Sequence, residues 1–305
     1  MKKVQARAGR LAFLPVALSL LVVPDPASLG AVTAQAPPPA WRELPFTGSK
    51  FTATIHARLR TEAVPGTAGE VPIRPDGCPQ AADASAQMIA TIVSRALGVG
   101  HSYEERVWFN PLTSTVKARL RLDRGSAPWR KSYCWQADGV RRFKVGPAGA
   151  NERAEPPAAW SDRDESFYRF PEGQPGCATV ADPVLLLALL PQVLAGQDPG
   201  PFTLCVFGRQ HLHQVTVHAA GTEPLVVDYG QQDGDRETRV RGRIEAPVYT
   251  VATTPLPADG QDREPFSLLG LQRDIRLHLA PDTLLPVRIS ATAGLAGTLT
   301  LDLRR

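Results

Sequence analysis

The sequence predicts a mainly β protein, a curved antiparallel sheet or open barrel with one amphipathic helix and one buried helix. Three observations predict it. Apolar residues recur at every second position in many short runs from Phe51 to the C-terminus. Glycine, Asp-Gly and Pro-Asp turn signals separate those runs. Two segments depart from that period, one with helical spacing and one apolar on every side.

The first residues read as a leader that stays outside the fold. Lys2, Lys3, Arg7 and Arg10 precede a 13-residue apolar run, Leu11 to Val23, and small residues then lead to Ala34. This is the layout of a cleavable secretory signal peptide. The run is too short for a bilayer core, which needs about 20 helical residues. Val32-Thr33-Ala34 is the favoured cleavage context, because the alternative Ala34-Gln35-Ala36 is followed by Pro37. The first cysteine is Cys78, too late to carry a lipid at the cleavage site. The expected product is soluble and periplasmic or secreted, with no transmembrane segment. Its oligomeric state is not encoded in any pattern here.

Processing changes the charge. The chain has 34 Lys+Arg and 30 Asp+Glu; the leader holds four of the basic residues and Asp25, which leaves 30 against 29. A net charge of +1 gives no basic field for a nucleic-acid partner. One local run, Arg236 to Arg243, is basic, and Arg239, Arg241 and Arg243 would share one strand face. A solvated sheet face or a patch for anionic ligands or a membrane surface both fit it.

Gln35 to about residue 45 is a proline-rich spacer, and a single β-rich domain is expected over 46–305. Phe51 to Arg60 alternates as a strand. Met88, Ile89, Ile92, Val93, Ala96 and Leu97 recur at helical spacing within Asp83 to Leu97, and Gly98 follows, which predicts the amphipathic helix. From Tyr103 the period returns to two. Val116, Ala118, Leu120 and Leu122 oppose Lys117, Arg119, Arg121 and Asp123. Ser132 to Gln136 and Val140 to Val145 flank Asp138-Gly139, a hairpin signal. Gly146 to Gly176 reads as a long loop.

Asp182 is a good N-cap and Pro183 suits the first helical position. Val184 to Leu190 is apolar all round, so this helix should be buried; Pro191 interrupts it and Gly196 ends it. Strands then follow at 202–207, 213–218, 225–229, 238–244, 248–253, 274–279, 286–290 and 298–303.

The ending carries a resemblance. Ile275-Arg-Leu-His-Leu-Ala-Pro-Asp282 leads to Leu285-Pro-Val-Arg-Ile-Ser290 and then to Gly297-Thr-Leu-Thr-Leu-Asp-Leu303. With the helix that begins Asp182-Pro183, this resembles the exported bacterial family known as domain of unknown function 3108, over roughly residues 178 to 305. The resemblance implies a curved antiparallel sheet wrapped partly around a helix, a shape similar to periplasmic lipoprotein carriers of the LolA and LolB type. It implies no catalytic residue.

Four candidate sites come from the residues themselves. Cys78, Cys134, Cys177 and Cys205 are an even set in an expected oxidising compartment, and sequential pairing (78 with 134, 177 with 205) is the preferred one of three. His211 and His213 would share a strand face and are weak metal candidates, with His218 on the other face. Asp162, Asp164 and Glu165 lack the spacing of a calcium loop. Trp108, Trp135 and Phe143, with Leu185, Leu186 and Leu189 of the buried helix, could line an apolar cavity, although core packing competes. No nucleophile elbow, zinc-protease motif or phosphate loop occurs in the sequence. The expected function is therefore non-enzymatic and cofactor-free: an envelope protein that holds an apolar ligand or lipidated partner, with the Asp182 helix as plug or lid. A structural or interaction module of the envelope and a hydrolase with a non-local site are the alternatives.

Overall fold

Alternating strands satisfy their backbone groups only in a ladder, and their apolar faces only by covering one another. Among the described residues the chain does both with one open sheet of fifteen strands. The computed structural model describes residues 41–304, apart from 52, 65–74, 76, 80, 82–83, 97–98, 172–176, 178, 197–199, 234–235, 257–264 and 293–296. The expected leader and residues 35–40 of the spacer lie outside the described residues.

An N-terminal meander runs β1 (Glu43–Lys50), β2 (Ala53–Ala63), β3 (Ala86–Ala96), β4 (Val99–Asn110), β5 (Thr115–Asp123), β6 (Trp129–Gln136), β7 (Gly139–Gly146) and β8 (Asp162–Arg169). A second meander runs β10 (Phe202–Phe207), β11 (Leu212–Asp233), β12 (Arg236–Pro255), β13 (Arg273–Leu279), β14 (Pro286–Thr292) and β15 (Thr298–Leu303). The first strand joins the last, with Phe46 opposite Leu303, so the two meanders form one sheet. The two-residue strand β9 (Val180–Ala181) pairs in parallel with β10 at the far edge.

The curl brings that far edge over the inner face of the first meander. Phe207 of β10 stacks edge-on against Tyr133 and Trp135 of β6, and its ring lies 5.7 Å from that of Tyr168 of β8. Between them runs the apolar helix. Asp182 accepts a hydrogen bond from the Val184 backbone N–H at 3.0 Å, Pro183 opens a single 3-10 turn, and α2 (Leu186–Gly196) follows with Pro191 inside it. Val184 to Ala188 and Leu190 are buried in the main core. A surface helix could not afford that composition, and burying each leucine contributes about 1.5–3 kcal/mol. The four-residue α1 (Ala150–Arg153) lies outside this core and buries nothing.

The structure corrects several sequence expectations. Asp83 to Leu97 is not an amphipathic helix; its described part is β3, paired with β2 on one side and β4 on the other. Thr91, Ile92 and Val93 are consecutive β-branched residues, which favour a strand. Burial of both faces from Ala86 to Ala90 hides the two-residue period. The expected loop after Gly146 contains the edge strand β8, whose mostly exposed charged residues (Asp162, Arg163, Asp164, Glu165) protect an open edge. The four strands expected between 213 and 253 merge into the long pair β11–β12, bent at a bulge between Ala219 and Thr222 where Gly221 takes φ +90°. Packing also begins before residue 46, since Trp41 and Leu44 are buried.

Both disulfides join sequential cysteines, Cys78 to Cys134 and Cys177 to Cys205. Two disulfides fit an oxidising, exported environment. Among the described residues, no helix is long and apolar enough to cross a membrane.

Candidate functional site

The residues that build the site sit on β5, where both faces are buried. Ala118 and Leu120 face the outside of the curl, yet they are covered by the Cys78–Cys134 bridge, Trp108, Ala81 and Ala84. Leu122 packs with Val145 and Trp160. With the apolar side covered by this stapled segment, Arg119, Arg121 and Asp123 point into the curl. A one-residue bulge, with Trp108 opposite Ala118 and Phe109 opposite Val116, returns Val116 and Phe109 to the main core.

Arg119 is 1 % exposed. Its Nη1 donates to Asp182 Oδ2 at 2.8 Å and to the Phe207 carbonyl at 3.3 Å; Nη2 donates to the Gly208 carbonyl at 2.7 Å. Its guanidinium lies 4.1 Å from the Tyr133 ring, with Trp135 and Phe207 beyond. One side chain therefore ties β5 to the helix N-cap and to the end of β10. Burial pushes the Asp182 carboxyl up to about 6, against the opposing pull of Arg119.

Farther along the same face a cavity of about 530 Å³ opens. Its wall is polar and aromatic on β4, β5 and β6, through Tyr103, Glu105, Arg121, Trp129, Lys131 and Tyr133. Its opposite wall is apolar, through Ile55 of β2, Ile92 of β3 and Leu299 of β15. Arg209 and the turn Leu268–Leu271 reach the rim. The Tyr103 hydroxyl donates to Glu105 at 2.8 Å and accepts from Arg121 Nε. Burial holds the Tyr103 phenol well above its ordinary value; Arg121 opposes this and Glu105 adds to it. In the turn, Leu269 takes φ +53° and Gly270 φ +87°. The left-handed region costs a leucine about 1–2 kcal/mol, and such strain collects at ligand sites.

Ser94, His101 and Asp123 also line the cavity on three adjacent strands. His101 Nε2 lies 2.9 Å from Asp123 Oδ2. Ser94 stands opposite His101 in the ladder. The Ser–His hydrogen bond that would activate a nucleophile is not formed among the described residues.

The structure separates the six residues expected around an apolar cavity. Trp108 and Phe143 pack on the outer face around the Cys78–Cys134 bridge. Trp135, Leu185, Leu186 and Leu189 belong to or pack against the main core. None of the six lines the cavity just described. His211 and His213 are buried, and His213 stacks on Phe266 at 5.8 Å. Among the described residues, no group of three or more His, Cys, Asp or Glu side chains could hold a metal. Burial pushes His213 down to about 4, with His211 adding to the shift. Arg239, Arg241 and Arg243 share the outward face of β12, and Arg239 forks onto Asp228 with two 2.7 Å hydrogen bonds.

Sequence reasoning missed Tyr103, Glu105, Arg119, Arg121 and Lys131. The available signal was the interleaving of charged and aromatic residues on one face of three consecutive strands: Tyr103 and Glu105, then Arg119 and Arg121, then Trp129, Lys131, Tyr133 and Trp135. No family model, curated protein or solved structure matches this chain.

Proposed function

We propose that this is a non-enzymatic binding protein of an exported compartment, reached through a cleavable leader, that holds an apolar or part-apolar small molecule inside its curled sheet. The cavity of about 530 Å³ between Ile55, Ile92 and Leu299 on one side and aromatic residues on the other carries this reading. Its volume is within the range of small-molecule sites, roughly 300–1,000 Å³. The helix that begins at Asp182 serves as a plug, since it fills the apolar half of the curl and leaves the other half open.

The test uses the neutral fluorescent probe N-phenyl-1-naphthylamine. Ile92→Trp fills the cavity, and Val93→Trp places the same bulk on the outer face, where Val93 is 44 % exposed. Saturable binding lost in the first variant and kept in the second supports the proposal. Equal binding in both variants, or none in the unmodified protein, contradicts it. Turnover of a p-nitrophenyl ester that disappears in Ser94→Ala would overturn the non-enzymatic part.

A further inference from the structure

The cavity lies beneath one end of the sheet, and that end presents apolar side chains to solvent. Phe51 stands in the turn between β1 and β2 and is 91 % exposed; Val99 opens β4 and is 70 % exposed. Thr54 is opposite Arg95 in the ladder of β2 and β3, and Val99 is opposite Ala96 in that of β3 and β4. These registers bring Phe51 and Val99 to the same end, two strand spacings, about 10 Å, apart. Ser94 and His101, on either side of the connection between β3 and β4, line the cavity. So do Asp123, next to Arg124, and Leu299, next to Thr298.

At this exposure the Phe51 ring contributes almost nothing to the core. Its backbone takes φ +53°, a left-handed conformation that is an outlier for a bulky side chain. A single exposed hydrophobic residue is ordinary. A strained aromatic beside a second exposed apolar residue, above a cavity, is not, and such strain collects at functional positions.

The charges at these turns are mostly positive. Lys50, Arg95 and Arg124 stand at the ends of β1, β3 and β5, and Arg95 and Arg124 are exposed. The Lys50 ammonium lies 5.8 Å from the Phe51 ring centre and donates to the Thr298 carbonyl at 2.6 Å, a neutral partner. The carboxylate beside them, Asp123, is bonded to His101. Apolar tips among dispersed cations match the layered polarity of a bilayer surface, hydrocarbon beneath phosphate.

We propose that this end docks on an anionic lipid bilayer. Phe51 and Val99 enter the boundary between headgroups and acyl chains, and Lys50, Arg95 and Arg124 meet the lipid phosphates. The cavity then faces the membrane. The docking stands on the turns themselves; exchange of an apolar ligand between bilayer and cavity rests on the proposed binding function.

The test floats the protein, purified after export, with phosphatidylcholine vesicles made with and without phosphatidylglycerol. The unmodified protein should bind the anionic vesicles and bind the neutral ones more weakly. Phe51→Asn suits the left-handed turn, so it should keep or raise the urea midpoint and weaken vesicle binding roughly fivefold or more. Val226→Asn, at another open site on β11 that is 77 % exposed, should bind as the unmodified protein does. No vesicle binding by the unmodified protein, equal binding by Phe51→Asn, or an equal loss in Val226→Asn would overturn the docking site. Binding that ignores phosphatidylglycerol would overturn the part given to Lys50, Arg95 and Arg124. N-phenyl-1-naphthylamine binding, measured without vesicles, keeps the two proposals apart: its absence defeats the cavity alone, and its persistence in Phe51→Asn shows that the vesicle loss is not a loss of the cavity.

Discussion

Arg119 and Asp182 form an asymmetric buried pair, and the asymmetry has a measurable consequence. Asp182→Ala leaves the guanidinium in an interior where it cannot lose its proton. Breaking a buried pair costs about 3–5 kcal/mol. The same change removes the acceptor for the Val184 N–H, a helix cap that contributes about 1 kcal/mol. The expected loss is about 4–6 kcal/mol, a large part of the roughly 5–15 kcal/mol that stabilises a typical protein. Arg119→Met behaves differently. The orphaned Asp182, with the lowering influence of Arg119 gone, takes up a proton at a pH above its present value of about 6. The native state of that variant then binds a proton that the unfolded chain releases above its ordinary carboxylate value, so the variant gains stability as the pH falls. Urea unfolding at pH 8 and pH 5 reads both effects. Arg119→Met should be destabilised by several kcal/mol at pH 8 and by clearly less at pH 5, relative to the unmodified protein. Asp182→Ala should show no such recovery. Equal losses for Arg119→Met at the two pH values would show that the buried Asp182 takes up no proton when Arg119 is removed.

Three further outcomes follow from single features. His213 is held neutral by burial, at about 4 against an ordinary 6.5, so the unfolded state binds its proton first and stability is lost as pH falls from 6.5 to 4. Relative to His213→Gln, the unmodified protein should lose about 2–3 kcal/mol between pH 7.5 and pH 4 in urea titrations; a constant difference would contradict this. The two disulfides close sequence separations of 56 and 28, which corresponds to about 4.2 and about 3.6 kcal/mol in the loop-entropy account. Cys78→Ser/Cys134→Ser should therefore lower the urea midpoint more than Cys177→Ser/Cys205→Ser, since both bridges are packed in apolar clusters and differ mainly in the loop they close. Leu269→Asn relieves the left-handed leucine and should stabilise the fold by about 0.5–1 kcal/mol while weakening probe binding. A loss of both would show that Leu269 serves packing alone.

The legible part of the fold was the part with one covered face. Thr298–Leu303, buried at every second residue, is a strand with the very bounds that the pattern implies. The Asp182-Pro183 start was also readable, because the cap and the proline act locally. Segments covered on both faces were not readable. The first half of β3 is buried on both sides and imitates a helix, and β5 hides its arginines because its apolar face looks like the only core face. The places of Trp108 and Phe143 are hidden for the same reason, because the Cys78–Cys134 bridge creates a second apolar layer outside the sheet in which both pack. No local period encodes a cover supplied by a disulfide. The charged wall arises from register, since Arg121 meets Lys131 only once β5 and β6 are paired.

A methyl-resolved NMR titration of the full protein with decanoate tests most directly whether the cavity in the curl binds a part-apolar ligand. Saturable shifts are expected at Ile55, Ile92, Leu271 and Leu299, which line the cavity, with little change at Leu186 and Leu187 in the plugged core. Shifts centred on the helix leucines, or no saturable shift at any of these methyls, would contradict it.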